Sequence, residues 1–275
     1  MPRNVEIEIF NIASTTVDQV EVRRWLTHVG APDFVVPVQV TDPALLIALA
    51  AKRCYMSFEP GLNPNVTRVR SDYVEYFDNI LRSGHGSVLE HAVYTYAIEG
   101  VSRVFTAEMN RHRAGWAISE GSLRFIRFDK DIPYWLPLSL CEDLADDADL
   151  AMRKMLSRQL FNNAFEEVEI IYRDLLSVWQ MDEGDKNFAY KKKMTSCLRR
   201  IVPMGVATGG VWSGNIRALR HVIALRTDPA AEEEIAYVFR RIANDIIERE
   251  PMLFSDFQQS TAADDASWIP AYRKV

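Results

Sequence analysis

The chain is poor in cysteine, and its three thiols are too scattered to build a cross-linked or metal-bound scaffold. Cys54, Cys141 and Cys197 are odd in number, and none belongs to a CxxC pair. A disulfide framework or a zinc site needs cysteines paired at short spacings. The sequence therefore argues against both and predicts reduced thiols in or near the core.

Long apolar runs and a surplus of basic residues are missing as well. No uninterrupted apolar run is long enough to cross a bilayer. The first ten residues, MPRNVEIEIF, lack the basic flank and apolar stretch of a secretory signal. Lysine and arginine number 32 against 38 aspartates and glutamates, and the net charge of -6 gives no general affinity for nucleic-acid phosphates. We therefore expect a cytoplasmic protein without membrane or nucleic-acid partners, in which any phosphate site is local.

The composition is that of a folded globular protein. Hydrophobic residues make up 48% and charged residues 25% of the chain, which is ordinary globular usage. A chain of 275 residues can bury one substantial core. Residues 1–35 precede every segment to which we assign chemistry. We expect them to be an N-terminal extension packed on a single domain that spans residues 36–275.

An aromatic and β-branched segment predicts a strand that leads directly into a helix. In HAVYTYAIE, residues 91–99, tyrosine and isoleucine side chains alternate with Val93 and Thr95, so the two sets lie on opposite faces. Gly100 is expected to end this strand. From Val101 onward, apolar residues recur at helical spacing and predict a helix that ends in a charged run.

Capping residues and apolar stripes predict five more helices. A Thr-Asp-Pro sequence ending at Pro43 marks the start of one helix, and Ser213 is the expected N-cap of another. Asp228 followed by Pro229 marks the start of the last helix. The predicted helices are 44–54, 156–180, 188–201, 213–225 and one that begins after Asp228, with Ile235, Val238, Phe239, Ile242 and Ile246 as its buried stripe.

Residues 85–124 concentrate ionisable and polar side chains around the predicted strand and helix. Arg111 and His112 lie three and four residues after Glu108, so their side chains share one surface of the helix. Guanidinium groups bind phosphate and imide oxygens in pairs and stack on aromatic rings. The Arg-His-Arg run therefore suits an anionic, planar ligand. A solvated helix end, whose cations meet the negative C-terminus, is the structural alternative.

The histidines of this stretch do not have metal-ligand spacing. His85 and His91 are six residues apart, with Glu90 between them, across a loop and the start of a strand. Zinc ligands carried on one helix need a separation of four residues. We therefore predict no metal site.

Three ordered motifs resemble the flavin-dependent thymidylate synthase family. RHR at residues 111–113 is followed by S-x-R at residues 122–124, and GHGSVLEH at residues 84–91 is similar to the family's GHxxxxEH element. A further block, IVPMG followed by WSGNIRALRHVIALR at residues 212–226, is similar to the family's proline-containing turn and the helix after it. The resemblance covers residues 40 to 257.

The resemblance implies a fold, a reaction and an assembly. The implied fold is α+β, a mostly antiparallel sheet flanked by long helices. The implied reaction is the FAD-dependent methylation of C5 of a uridine monophosphate nucleotide, dUMP to dTMP. Methylenetetrahydrofolate is the implied carbon donor, and NADPH is the implied reductant. Relatives of this kind are homotetramers with FAD at subunit junctions. No cysteine stands in the PCQ-type context of the cysteine-dependent synthases.

The resemblance also implies roles for individual residues. Arg226 matches the arginine that contacts the uracil, and Ser122 matches a substrate-binding serine once proposed as a nucleophile; both are the implied catalytic residues. The implied FAD-binding residues are His85, Ser87, Glu90, Arg111, His112, Arg113, Glu120, Asn215, Arg217 and His221. The implied nucleotide-binding residues are Glu108, Arg111, Glu120, Ser122, Arg124, Arg199 and Arg226.

Two departures from the family pattern keep the substrate open. The spacer between RHR and Ser122, AGWAISEG, has eight residues where the family usually has seven, and Glu108 stands where the family commonly has glutamine. The alternative is the same chemistry on UMP, as in nucleoside-antibiotic biosynthesis. A non-catalytic nucleotide- or RNA-binding module, with Tyr94 or Tyr96 stacking on bases, is a third reading that the acidic balance disfavours.

Overall fold

Antiparallel strand pairing organises the chain. The computed structural model describes residues 3–128, 130–141, 147–184, 186–260 and 266–274. The strands, in chain order, are β1 Arg3–Asn4, β2 Glu8–Ser14, β3 Val93–Ser102, β4 Trp116–Glu120, β5 Pro133–Tyr134, β6 Ala207–Asn215, β7 Phe257–Gln259 and β8 Trp268–Pro270. The main sheet has the order β2-β3-β6-β4 with antiparallel neighbours throughout, whereas β1 pairs with β5 in parallel and β7 with β8 antiparallel.

Helices flank this sheet. They are α1 Gln19–His28, α2 Asp42–Tyr55, α3 Tyr73–Arg82, α4 Arg103–Met109, α5 Ala148–Val178, α6 Phe188–Leu198, α7 Ile216–Arg226 and α8 Glu233–Arg249, with short 3-10 helices at Gly86–His91, Leu138–Leu140 and Arg199–Ile201. The predicted α+β architecture is confirmed. Residues 8–14 supply the edge strand β2, which pairs with β3.

The central strand β3 forms where the sequence predicts it but runs further. Tyr94, Tyr96 and Ile98 are buried, as the alternation predicts. Gly100 does not end the strand: it has φ +78° and lies at a shift of register, so the strand bulges and continues. A Cβ at Gly100 would lie 2.1 Å from the carbonyl oxygen of Glu6. The following helix starts only at Arg103, because the Ser102 side chain caps it.

Two predicted helix starts are wrong. Ser213 lies in β6, opposite Thr95, and Asn215 caps α7 instead. Three glycines in the nine residues of β6 hide the strand from propensity arguments. The last helix begins after Glu232, whose carboxylate accepts from two backbone N–H groups, while Asp228 closes a separate turn. The predicted apolar stripe of that helix is buried.

The other predicted helices form but differ at their ends, whereas α1 and α3 were not predicted from the sequence. Thr41 caps α2, as the Thr-Asp-Pro sequence predicts. Helix α5 starts at Ala148, before the predicted residue 156, because Asp147 caps it. The segment 188–201 is an α-helix to Leu198 and a 3-10 helix beyond it.

Packing distributes the apolar residues over three clusters. The largest lies between the sheet and α2, α3, α7 and α8. A second cluster surrounds α5 and α6, and a third joins α1 to α2. The three cysteines are free, but Cys54 and Cys197 are exposed, so their predicted place in or near the core is wrong. No helix among the described residues has the length and apolarity needed to span a membrane.

Lys52 is a buried cation enclosed by aromatic rings. Its side chain is on α2 and is 1% exposed. Its Nζ lies 4.6 Å from the ring centre of Tyr76, 5.6 Å from that of Phe34 and 5.8 Å from that of Tyr73. Ring faces attract a desolvated ammonium. Burial, with a contribution from the charge of Arg70, lowers the pKa of Lys52 from 10.5 to about 8.

The depressed pKa of Lys52 makes stability depend on pH in the alkaline range. Between about pH 8 and pH 10 the unfolded chain binds more protons than the folded one, so the free energy of unfolding from this residue rises with pH. Lys52→Met has no titrating group there. In urea unfolding at about pH 7 and about pH 10, wild type should gain stability relative to Lys52→Met as pH rises. Lys193→Met, on an exposed residue of α6, should follow wild type. A wild-type advantage that does not change with pH would contradict this reading.

Candidate functional site

Helix α7 is the spine of the site. It follows β6 directly, and its N-cap Asn215 accepts a hydrogen bond from the backbone N–H of Ala218. Arg217 and His221 are four residues apart, which places them on one side of the helix. Arg226 ends the helix. Helix α7 and its N-cap therefore carry four residues that the sequence singled out: Asn215, Arg217, His221 and Arg226.

At the C-terminal end of α7, Arg226 contacts Glu108, in the last turn of α4, and His112, which follows α4. Its Nε donates to Nε2 of His112 at 2.8 Å. Its Nη1 lies 2.9 Å from Oε2 of Glu108, whose other oxygen is 3.5 Å from Nη1 of Arg111. Only 13% of the Arg226 side chain is exposed, against 72% for Arg111. The structure thus holds the Arg226 guanidinium in one orientation, whereas the Arg111 side chain has a single long contact and is mostly exposed.

His112 is a neutral imidazole in this arrangement. Burial lowers its pKa from 6.5 to about 4, and the positive charge of Arg226 and the neighbouring His221 add to the effect. The two imidazole rings are 6.5 Å apart. Because Nε2 of His112 accepts the hydrogen bond from Arg226, its proton must lie on Nδ1. His112 therefore acts as an acceptor that fixes Arg226.

At the N-terminal end of α7, two glycine turns approach the helix closely. Arg217 forms an ion pair of 2.6 Å with Glu90, at the end of the 3-10 helix that starts at Gly86. A Cβ at Gly86 would lie 2.9 Å from Nε of Arg217, and one at Gly115 would lie 2.7 Å from Nδ2 of Asn215. Gly115, with φ +76° and Cβ of Ala218 close by, requires glycine, whereas a side chain at Gly86 would displace the Arg217 guanidinium. These approaches bring the GHGS turn and the turn after RHR against the same helix.

His85 opens onto a cavity of about 400 Å³ that sequence reasoning did not find. Its ring stacks on Tyr55 with centres 5.8 Å apart, and the Tyr55 hydroxyl lies 3.5 Å from Nε2. Arg68 and Arg70 also line the cavity. They stand in a loop between α2 and α3 with no recognisable motif, so only tertiary structure could assign them to this place.

The remaining sequence-predicted residues lie elsewhere in the chain. Glu120 pairs with Arg103 at 3.2 Å, and the Ser122 hydroxyl accepts a local bond from the backbone N–H of Arg124. Arg199 lies in the 3-10 helix after α6. Trp116, the first residue of β4, pairs with Gly214 beside the start of α7, whereas Glu120 is the last residue of β4. At about 3.3 Å per residue, Glu120, and with it this second group, therefore lies about 13 Å along the strand from the start of α7.

The second group carries polar atoms without partners. Oε2 of Glu120, Nη1 of Arg103 and Oγ1 of Thr208 are buried and make no hydrogen bond within the described part of the chain. Glu120 and Thr208 line a cavity of about 720 Å³, whose lining also includes Arg127 and Lys130. Unsatisfied buried polar groups are rare in native proteins and often mark a binding site. Sequence reasoning did not single out Arg103, which directly follows the cap residue Ser102 at the start of α4.

The family model of thymidylate synthase complementing proteins matches residues 38–252. The chain belongs to this family. The match includes both groups of residues described above and omits the N-terminal strand β2. The predicted family membership is confirmed, and with it an enzyme of the methyltransferase type.

Curated relatives agree in sequence over most of their length. The flavin-dependent thymidylate synthase of Corynebacterium diphtheriae is 31% identical over 234 residues, which cover 84% of this chain and 86% of that protein. The flavin-dependent thymidylate synthase of Mycobacterium tuberculosis strain H37Rv is 31% identical over 245 residues, 86% of this chain and 90% of that protein.

Solved structures share the fold. The UMP/dUMP methylase PolB from Streptomyces cacaoi, bound with 5-Br UMP, superposes with a TM-score of 0.59 at 17% identity, covering 91% of this chain and 92% of that one. Thymidylate synthase X from Helicobacter pylori, with FAD and dUMP, gives 0.52 at 21% identity, covering 90% and 99%. At these identities the likeness establishes the fold and nothing further.

The contact between Arg226 and His112 predicts a shift that NMR can measure. Arg226→Ala removes a positive charge and admits water, so the pKa of His112 should rise from about 4 toward 6.5. The chain has five histidines, so the imidazole signals can be assigned and titrated individually. Arg113→Ala removes an exposed neighbouring arginine and should leave the pKa of His112 where it is. An unshifted His112 in Arg226→Ala would show that the two side chains do not interact in solution.

Proposed function

We propose that the protein is an FAD-dependent enzyme that methylates C5 of a uridine monophosphate nucleotide, converting dUMP to dTMP. The observation that carries the proposal is the arrangement at the end of α7, where Glu108 and neutral His112 hold the Arg226 guanidinium. A fixed guanidinium suits a planar imide whose oxygens gain negative charge during reaction. The relatives that are 31% identical are named flavin-dependent thymidylate synthases.

The residues along α7 fit a flavin nucleotide. The turns at Gly86 and Gly115 pack directly against Arg217 and Asn215 of α7 and its cap, and the exposed arginines Arg111 and Arg113 beside them can bind a diphosphate. The Helicobacter pylori structure similar in fold contains FAD. The residues that would hold FAD here are His85, Ser87, Glu90, Arg111, His112, Arg113, Glu120, Asn215, Arg217 and His221.

The nucleotide substrate would lie against Arg226. Its guanidinium would face the uracil and stabilise negative charge there, while Ser122 would bind the substrate. The proposed substrate-binding residues are Glu108, Arg111, Glu120, Ser122, Arg124, Arg199 and Arg226. Glu108 already contacts two of the others, Arg111 and Arg226, in the chain alone.

Two co-substrates complete the proposed reaction. Methylenetetrahydrofolate provides the carbon, and NADPH provides the electrons. A transferred methylene must gain a hydride, and C5 must lose its proton, for a methyl group to result. Bound reduced FAD supplies that hydride chemistry. The chain's own part is to place the uracil and exclude water from it.

We propose that the working form is a homotetramer with FAD at subunit junctions. Within one chain, Glu120, Ser122 and Arg124 stand about 13 Å of strand from the start of α7. A second copy could bring its own such residues to the α7 group. Exposed apolar side chains on α5, among them Leu160 at 68% and Val178 at 75%, offer surface for such contacts.

Removing the Arg226 guanidinium should abolish methylation without loss of flavin. Because the charge on the uracil would lose its fixed donor, kcat for dUMP should fall by about 10²-fold or more in Arg226→Ala. Flavin absorbance of the purified variant and product formation from dUMP measure the two properties. The matched control is Arg24→Ala on α1, where the arginine is 80% exposed and pairs with nearby Glu21, and this variant should keep wild-type turnover. Full turnover by Arg226→Ala would sink the assignment.

UMP is the second candidate substrate, because Glu108 places a carboxylate beside the nucleotide. Repulsion between the Glu108 carboxylate and the nearby nucleotide phosphate costs about 1 kcal/mol. Removing that charge in Glu108→Gln should therefore lower KM for dUMP roughly fivefold. Turnover of dUMP and UMP is measured separately in both proteins. Wild-type UMP turnover equal to or above that of dUMP would replace dUMP as the substrate. A rise in KM confined to UMP in Glu108→Gln would assign to Glu108 a bond with the ribose hydroxyl.

A further inference from the structure

The cavity beside His85 differs in charge from the protein as a whole. Arg68 and Arg70 line it, and buried Lys52 packs against the ring of Tyr76, another lining residue. One lining carboxylate, Glu75, pairs with Arg70 at 3.2 Å. Three cations against one carboxylate make the cavity locally positive in a chain whose net charge is -6. A concave positive surface concentrates anions.

Arg68 has its hydrogen-bonding capacity available. It is exposed and forms no ion pair with a carboxylate among the described residues. Asn65 and Asn79 on the same lining add neutral polar groups. A guanidinium binds phosphate and carboxylate oxygens through paired hydrogen bonds. The cavity therefore has the chemistry to bind an anion with several oxygens.

The mouth of the cavity leads to the proposed flavin site. His85 lines the cavity and stacks on Tyr55, which is 52% exposed. The next residue, Gly86, packs against the guanidinium of Arg217 on α7. A ligand with an aromatic ring near α7 would extend its tail past the Tyr55–His85 stack toward Arg68. The volume of about 400 Å³ fits such a tail and not a second whole dinucleotide.

We propose that this cavity binds the anionic tail of an aromatic co-substrate, with Arg68 and Arg70 as its anchors. The inference rests on the proposed function, which requires two co-substrates of this kind. The shared chemistry is a multiply charged anion linked to an aromatic ring. The tail is either the 2'-phosphate side of NADPH or the glutamate dicarboxylate of the folate, and the experiment separates these sources.

Equilibrium binding tests the proposal independently of turnover. The FAD-loaded protein is titrated calorimetrically with unreactive NADP+ and folate, and with NAD+ and pteroate, which lack the 2'-phosphate and the glutamate respectively. In Arg68→Ala/Arg70→Ala, Kd should rise about tenfold for NADP+ or for folate, because two charge-assisted contacts are lost. Kd for the matching ligand without the tail, NAD+ or pteroate, should stay within about twofold of its wild-type value. Arg70→Lys, which keeps the positive charge but not the paired hydrogen bonds, should retain part of the affinity for the ligand with the tail.

A matched double variant controls for net charge. Arg24→Ala/Lys193→Ala removes two exposed cations, from α1 and α6, neither of which lines the cavity, and should leave every Kd at its wild-type value. The proposal is overturned if the Arg68/Arg70 variant binds NADP+ and folate like wild type, if it weakens ligands with and without the tail equally, or if wild type binds neither. Loss of tail binding in a protein that methylates neither nucleotide would refute the proposed function and not the cavity.

Discussion

The pairing of β3 with β6 is the constraint on which the rest of the site depends. The two strands are antiparallel over their full length, from Val93 opposite Asn215 to Ser102 opposite Ala207. Helix α4 therefore leaves from one end of the pair and α7 from the other. Because the two helices start at opposite ends, the residues after α4 meet the last turn of α7. The contact of His112 with Arg226 is a product of this register.

A buried carboxylate holds the first of these helices in place. Glu234, at the start of α8, accepts hydrogen bonds from the backbone N–H and the hydroxyl of Ser102, the residue that caps α4. Burial raises the pKa of Glu234 from 4.5 to about 7, although the bonds from Ser102 act in the opposite direction. Since the folded-state pKa is the higher one, the ionised form costs stability as pH rises from 4.5 to 7. In return, the bonds from Ser102 to Glu234 fix the residue at which α4 starts.

Charge is arranged locally rather than globally. The chain is acidic, yet positive side chains collect along α7 and around the cavity beside His85. In each place some cations are restrained and others stay available. Arg226 is held by Glu108 and His112, and Arg217 by Glu90, whereas Arg111 and Arg68 face solvent. Such a division suits ligands that need one oriented contact and a more adaptable one for an anionic group.

Local patterns in the sequence determined the chemistry-bearing residue types, the central strand, the capped start of α2 and the buried stripe of α8. Each depends on residues within a few positions of one another, through periodicity, capping or motif spacing. The strand β6 was not predicted because its glycines have no strand preference. Its pairing with β3 and β4 is what makes this segment a strand. The same holds for the bulge at Gly100 and the N-cap at Asn215. Arg226 contacts His112 across 114 positions, and Arg68 and His85 line one cavity although no motif links them. Only the tertiary structure could decide these contacts, because long-range pairing and close packing, not local preference, bring the residues together.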